Sequence, residues 1–159
     1  MCSSDLSACT MKFKVFAWLL VKDRLNTKDL LKQRHWDVTE NHNCALCPVG
    51  AYEDRQHLFF TCNFSQRVWN YLQIFWIQSN DIQISISQAR KEFAKPFVME
   101  VIIVACRHIW LQRNGFIFEH IRPSFVNWKR GFVHDLTLSR YRMKTKLADG
   151  LIQWIAELP

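Results

Sequence analysis

Glycine and proline are scarce in this chain, with four residues of each type among 159. Because tight turns depend on these two residue types, their scarcity disfavours a fold of many short strands and predicts a mostly α protein. Long apolar runs are also lacking. The two longest, 15–21 and 101–106, fall far short of the roughly 20 residues that cross a bilayer. The first of them leads into charged residues without a small-residue cleavage site, so we expect neither a signal peptide nor a membrane partner.

Grouped acidic residues are a second feature that the sequence lacks. The chain has 14 acidic and 21 basic residues, a net charge of +7, and Glu53-Asp54 is its only pair of adjacent acids. Polymerases and nucleases that use two metal ions need grouped carboxylates to hold ions roughly 3.5–4 Å apart. The histidines are also scattered, and no Ser/His/Asp constellation stands out. We therefore expect no enzymatic activity and no small-molecule substrate, whereas the positive charge suits an anionic partner.

Apolar and aromatic residues are abundant, at 49% hydrophobic overall with seven Trp and twelve Phe. This composition supplies a core and is not that of a disordered chain. Many of these residues recur at every third or fourth position, which predicts amphipathic helices with one apolar stripe each. The stripes are Phe13, Phe16, Ala17 and Leu20; Phe64, Val68, Leu72 and Phe75; Val98, Ile102, Ala105 and Ile109; and Phe125, Trp128, Phe132 and Leu136.

Several local signals refine these helices. The first helix carries Val15 and Trp18 on its other side, which predicts burial on two sides. Asn26 or Thr27 is expected to cap a short second helix, and Pro123-Ser124 to begin a later one. Apolar and polar residues alternate over 81–87, which predicts either a short strand or an extended linker.

The most informative motif is Cys44-x-x-Cys47 followed by His57 and Cys62. Three thiolates and one imidazole make the closed tetrahedral set that holds a structural Zn²⁺, so we expect one such ion and no catalytic metal. Two alternatives remain from spacing alone. The Cys-x-x-Cys pair could be redox-active, although no βαβ pattern surrounds it. The four residues could also be buried in the core without metal, because free cysteine is often buried.

The spacing of the second ligand pair sets a condition on the backbone. His57 and Cys62 are five residues apart, which places them about 140° from a shared face of an α-helix. A helix that carries His57 must therefore end or unwind near Thr61 for Cys62 to reach the same ion.

These motifs and their surroundings resemble the reverse-transcriptase zinc-binding domain of plant LINE-type (non-LTR) retroelement polyproteins. The resemblance covers roughly 13–72. It rests on Phe13-Lys-Val-Phe-Ala-Trp-Leu-Leu, Arg24-Leu-Asn-Thr27, Leu30, Cys44-x-x-Cys47, Glu53-Asp54, His57-Leu-Phe-Phe, Cys62, Phe64-Ser65 and Val68-Trp69. Later residues around Arg113-Asn114 are similar to the linker that follows this module in those polyproteins. The resemblance implies that Cys44, Cys47, His57 and Cys62 bind zinc and that the chain originates from a retroelement. It does not make the chain a polymerase, because the paired-Asp motif is missing.

A basic segment follows in the last third of the chain, where 122–146 contains seven basic residues and the single acid Asp135. We expect this basic helix to bind RNA or single-stranded DNA together with the zinc knuckle, mainly through phosphates. The candidate contacts are Arg122, Lys129, Arg130, Arg140, Arg142, Lys144 and Lys146. The alternatives are a zinc-stabilised helical module that binds protein, and a non-functional retroelement fragment.

Four divisions of the chain are predicted from these signals. They are a disordered N-terminus (1–12), a zinc-binding module (13–78), a linker (79–93) and a basic helical extension (94–159). Six cysteines are read as a metal site plus single thiols, not as a disulfide framework. We therefore expect an intracellular protein, nuclear or cytoplasmic, that is not secreted.

Overall fold

The computed structural model describes residues 9–36, 41–77, 79 and 81–159. Within these ranges the protein is helical, which confirms the mostly α fold class. The α-helices are α1 (Met11–Val21), α2 (Lys28–Gln33), α3 (Asn63–Leu72), α4 (Ile82–Phe93), α5 (Val98–Glu119), α6 (Phe125–Ser139) and α7 (Thr145–Ala156). A π-helical turn (His57–Thr61) precedes α3, and a 3₁₀ turn (Arg140–Arg142) follows α6. An isolated antiparallel bridge joins Asn43 to Tyr52.

The long helix α5 lies at the centre of the fold. Its residues 98–106 are buried without interruption, since α1, α4 and α6 all pack against this helix. The predicted stripe of Val98, Ile102, Ala105 and Ile109 is buried as expected. A helix that is apolar on all sides is the form expected for a central core element. The core is continuous, because buried side chains from the N-terminal to the C-terminal helices form one cluster.

Helix α1 is buried on one side only. Phe13, Phe16, Ala17 and Leu20 face the core as predicted, but Trp18 is 56% exposed and nothing in the described ranges covers it. The expectation of burial on two sides is therefore wrong. Periodicity identified the face that meets α5, but it could not show whether a second layer would cover the other face.

The start of the described chain also differs from the prediction. Cys9 is buried and α1 begins at Met11, so the disorder predicted for 1–12 is wrong for 9–12. The backbone N–H groups of Phe13 and Lys14 both donate to the carbonyl of Thr10, which starts the helix there. Residues 1–8, with Cys2, lie outside the described residues.

Helix α3 ends one turn earlier than its apolar stripe predicted. Gln73 adopts a left-handed backbone conformation (φ 54°), so Phe75 leaves the helix and is 64% exposed. Trp69 is buried, and its ring N–H donates to the carbonyl of Phe59 at 2.7 Å. Trp76 folds back against Trp69, with ring centroids 5.1 Å apart. The ring contacts of the two tryptophans hold the chain reversal after α3.

The prediction of a strand or an extended linker is wrong at 82–93, which form α4. Asp81 caps this helix by accepting a hydrogen bond from the backbone N–H of Gln83 at 2.8 Å. Ile82, Ile86 and Ala89 are buried, and their spacing fits one face of a helix. The apolar residues of 81–87 fit both the two-residue period of a strand and the 3.6-residue period of a helix. Packing against α5 favours the helix. The predicted domain boundaries themselves stay predictions.

The basic segment 122–146 is not a single helix, contrary to expectation. Ser124 caps α6 as predicted. The α6 side chains Trp128, Phe132 and Leu136 are completely buried. The chain then turns through Arg140–Arg142 before α7 begins at Thr145. The basic residues are consequently spread around a helical corner and do not form one straight stripe. Among the described residues, no helix is long and apolar enough to cross a membrane.

Candidate zinc site

Cys44 and Cys47 lie on a short backbone knuckle. The N–H of Cys44 donates to the carbonyl of Ala51 at 2.7 Å, which closes the loop across Gly50. Gly50 has a φ of 72°, a left-handed conformation that a residue without Cβ adopts at little cost. Inside the loop, the N–H of Leu46 donates to the sulfur of Cys44 at 3.4 Å. These bonds direct both cysteine side chains to the same side of the knuckle.

His57 and Cys62 are brought together by the π-helical turn. Asp54 accepts a hydrogen bond from the N–H of His57 at 2.6 Å, which starts the turn. The N–H of Cys62 then donates to the carbonyl of His57 at 2.7 Å, a five-residue step that defines a π turn. Cys62 itself is extended, with φ −60° and ψ 140°. The helix therefore ends at Thr61, as the spacing of the two residues required.

The four side chains converge on one point. Their ligand atoms all lie within 4.8 Å of one another. The Cys44 and Cys62 sulfurs are 3.8 Å apart, and the Cys47 sulfur is 3.3 Å from the Nε2 of His57. In a tetrahedral site with Zn–S bonds of roughly 2.3 Å, two sulfurs lie roughly 3.8 Å apart. The donor set and its spacing therefore fit Zn²⁺, and all four tetrahedral positions would be filled by protein.

The orientation of the His57 ring suits this role. Its Nε2 faces the cysteine sulfurs, and its Nδ1 lies 3.4 Å from the hydroxyl of Thr61. A zinc-binding imidazole commonly has its second nitrogen held by a neighbouring polar group, which sets the ring orientation. Thr61 provides that group here.

The four side chains differ in how readily they lose a proton. The hydrogen bond with Cys62 raises the pKa of Cys44 and burial raises the pKa of Cys47, whereas the hydrogen bond with Cys44 lowers the pKa of Cys62. Burial lowers the pKa of His57, so its ring is neutral and can donate a lone pair. The convergence of all four residues argues against the redox and metal-free alternatives, neither of which requires His57 at this position.

Glu53 links this site to the rest of the protein. Its side chain is completely buried, and one carboxylate oxygen accepts hydrogen bonds from Arg113 at 2.6 and 3.1 Å. The same oxygen accepts from the N–H of Lys28 at 3.1 Å, and the other oxygen from the N–H of Ala45 at 3.3 Å. One carboxylate thereby joins the cysteine knuckle, the start of α2 and the C-terminal part of α5.

The role of Glu53 was not recognised from the sequence. Glu53 and Arg113 both carried the family resemblance, but 60 positions separate them and nothing in the spacing pairs them. A buried acid needs a cation or several hydrogen-bond donors, since an isolated buried charge is costly. The local sequence gives no signal for burial of Glu53, because the four residues that follow it, 54–57, are all polar.

A comparison with protein families supports the interpretation of these four residues as a zinc site. Residues 6–69 match the family model described as zinc-binding in reverse transcriptase. The resemblance to that domain is thus confirmed. No curated protein and no solved structure matched the chain. The matched segment 6–69 contains all four converging residues, ends within α3 and covers 64 of the 159 residues.

The seven predicted nucleic-acid contacts lie outside the matched segment 6–69. Arg122, Arg130, Arg142, Lys144 and Lys146 are exposed, whereas Lys129 and Arg140 are half-buried. Lys129 is held by the carbonyl of Pro159 and lies over the Tyr71 ring, and Arg140 stacks on Tyr141. The structure brings Lys144 and Lys146 to one cavity, but it does not gather all seven residues into one site.

Proposed function

We propose that this chain is a non-catalytic module with one structural Zn²⁺, derived from a retroelement reverse transcriptase, that binds RNA or single-stranded DNA. The observation that carries the proposal is the convergence of Cys44, Cys47, His57 and Cys62 inside the matched segment. A site whose four positions are filled by protein leaves none open for water or substrate. The ion would hold the knuckle and the π-helical turn together, and the ligands supply no reactive group.

Nucleic-acid binding is supported by charge. The chain carries a net charge of +7, and the exposed cations of 122–146 are available to phosphate oxygens. Contacts with phosphates release counterions, so binding of this kind weakens steeply as salt rises. The relatives implied by the family description belong to enzymes that copy nucleic acid, and an RNA or single-stranded DNA partner is consistent with that setting.

The test is a salt titration of single-stranded RNA binding, followed by fluorescence anisotropy. Log affinity should fall with log salt at about −0.7 per neutralised phosphate. The variant Arg140→Gln/Arg142→Gln/Lys144→Gln/Lys146→Gln should flatten the slope while zinc content and helicity stay unchanged. Binding that is undetectable, or that does not depend on salt, would contradict the proposal.

A protein-interaction module is the second candidate, and exposed aromatic rings favour it. Large aromatic side chains at the surface often mark interaction sites. The exposed fractions are 56% for Trp18, 62% for Trp36, 64% for Phe75, 72% for Phe118 and 71% for Tyr141. This candidate predicts weak RNA binding at every salt concentration, and capture of a protein partner that the quadruple variant does not alter.

The proposed lack of catalysis is supported by the structural roles of the two adjacent acids, Glu53 and Asp54. Glu53 is buried against Arg113, and Asp54 caps the π-helical turn. Neither carboxylate is directed to a shared metal, as two-metal phosphoryl transfer requires. Magnesium-dependent primer extension or RNA cleavage that copurifies with the chain, and is lost when a carboxylate is replaced, would contradict the proposal.

An intracellular location, nuclear or cytoplasmic, is proposed from the cysteines. None of the five that the structure describes forms a disulfide, a state that reducing compartments maintain. A fluorescent fusion viewed in cells would test this proposal, and accumulation in the secretory pathway would contradict it.

A further inference from the structure

A cavity of about 470 Å³ lies between the loop that precedes α5 and the side of α7. Its apolar wall is formed mainly by Phe97 and Trp154, whose ring centroids are 5.8 Å apart. Phe93 supports Trp154 from behind, at 5.5 Å between centroids. Both wall residues are more than nine-tenths buried, so their positions are set by the core. The cavity is therefore a preformed concavity, of a size typical for small-ligand sites.

Three lysines line this cavity: Lys95, Lys144 and Lys146. All three are exposed, and their ammonium groups have no ion-pair or hydrogen-bond partner among the described residues. The only acidic residue in the lining is Glu157, whose carboxylate accepts a hydrogen bond from Gln153 at 3.0 Å. The cavity thus has an excess of positive charge around an apolar wall.

We propose that this cavity binds one phosphate-flanked nucleotide of a single-stranded nucleic acid. A nucleotide within a strand has a planar, largely apolar base and an anionic phosphate on each side. The apolar wall suits the base or ribose, and the three lysines suit the phosphates. A duplex keeps its bases stacked inside and could not place one in the cavity. The inference rests on the proposed nucleic-acid binding, and it adds Lys95 and the wall of Phe97 and Trp154 to that function.

The first experiment tests the charges. The variant Lys95→Gln/Lys144→Gln/Lys146→Gln is compared with Lys22→Gln/Arg24→Gln/Lys32→Gln, which removes three exposed cations that lie within the matched segment 6–69 and do not line the cavity. If the three lysines together neutralise the two phosphates that flank the bound nucleotide, the log–log salt slope should become shallower by about 1.4, from two phosphates at about 0.7 each. The control should retain most of the slope, and both variants should keep their zinc and helicity.

The second experiment tests the cavity independently of charge. Gly150 lines the cavity, and a Cβ placed there would meet only Phe97, at 3.8 Å, which is an ordinary contact. Gly150→Leu should therefore fill the space without disturbing α7, whereas Gly150→Ala leaves most of it open. We expect the leucine variant to bind single-stranded RNA about fivefold or more weakly, with an unchanged salt slope, and the alanine variant to bind normally.

The outcomes separate this inference from the function on which it rests. If the parent protein shows no salt-dependent binding, both fail together. If the parent binds but the two triple variants lose affinity equally, the charge acts from the whole surface and the cavity site is wrong. Normal binding by Gly150→Leu would likewise overturn the cavity site, while leaving the proposed function intact.

Discussion

The zinc knuckle and the α5–α6 core of this protein are ordered by different means. In the core, side chains such as Trp128 and Phe132 are completely buried and stack with ring centroids 4.9 Å apart. In the knuckle, the backbone is irregular and is held by thiols, hydrogen bonds to Glu53 and the turn at Gly50. Apolar burial stabilises the first region, whereas the second has one buried ion pair and, under the proposed function, a bound metal ion. The two regions should therefore respond differently to the same kinds of change.

The largest expected effect comes from removing a zinc ligand. Cys44→Ser or Cys62→Ser should abolish stoichiometric zinc binding and the local order of the knuckle, because metal binding and folding of such a site are coupled. The helical core should persist in both variants. Metal analysis and amide hydrogen exchange of the purified protein would measure the two regions separately.

Cys106→Ser is the matched control for this prediction. Cys106 is completely buried in α5, where burial raises the pKa of its thiol, and it lies outside the ligand cluster. Its replacement should leave the zinc content unchanged. Loss of zinc from this variant, or a wild-type protein without zinc, would show that the ligand assignment is wrong.

The second largest effect is expected where the two regions meet. Arg113→Ala leaves the carboxylate of Glu53 buried without its cation, which should lower the free energy of unfolding by about 3–5 kcal/mol. The loss should also reach the knuckle, because Glu53 accepts from the N–H of Ala45. We expect zinc affinity to fall by about 10–100-fold, as it does when groups that support metal ligands are removed.

Urea denaturation and competition with a chelator would measure these two quantities. The variant Glu53→Gln/Arg113→Leu removes both charges together and should be less destabilised than Arg113→Ala. Equal destabilisation of the two would indicate that packing, and not the unpaired charge, accounts for the loss.

A smaller effect is expected within the core, at the contact of α5 with α6. A Cβ at Gly131 would lie 2.6 Å from two atoms of the His108 ring, which is held by Asp135 at 3.0 Å. Gly131→Ala should therefore displace His108 and cost about 1–3 kcal/mol, the usual range for an overpacked core. Thermal denaturation would measure this loss of stability. Gly150→Ala, where space is open, should be neutral or slightly stabilising, and Gly131→Ala/His108→Ala should recover part of the loss.

The smallest predicted effect is a pH dependence in the same contact. Burial lowers the pKa of His108 below its usual 6.5, although Asp135 opposes this shift. The unfolded protein therefore binds a proton more readily at this residue than the folded protein. Its contribution to stability is complete above about pH 6.5 and is lost as the pH falls through the lower pKa of the folded state.

The measurement is a series of urea denaturations from neutral to mildly acidic pH. Acid also displaces zinc from its ligands, so the informative quantity is the difference between the parent protein and His108→Gln. The parent should lose more stability on acidification than the variant does. If the parent protein and His108→Gln lose the same stability on acidification, His108 does not contribute to the pH dependence.

Much of the fold could be predicted from residues close together in the sequence. The spacing of Cys44, Cys47, His57 and Cys62 indicated a common site, and it required the helix to end near Thr61. The stripe of Trp128, Phe132 and Leu136 is buried as predicted, since a helical period is a local property of the chain. By contrast, the helix at 82–93 was missed, because its sequence fits either period and only contact with α5 distinguishes them.

Local sequence by itself identified the four residues that converge at the candidate zinc site and the buried faces of α1 and α6, because a ligand motif and a helical period are both patterns of residue spacing. Tertiary structure alone decided which charged and polar groups meet. It paired Glu53 with Arg113 across 60 positions, placed His108 against Gly131, and brought Lys95 beside Lys144. These contacts depend on how the helices pack. Neither partner carries a local signal for the other, so they can be found only when the chain is folded.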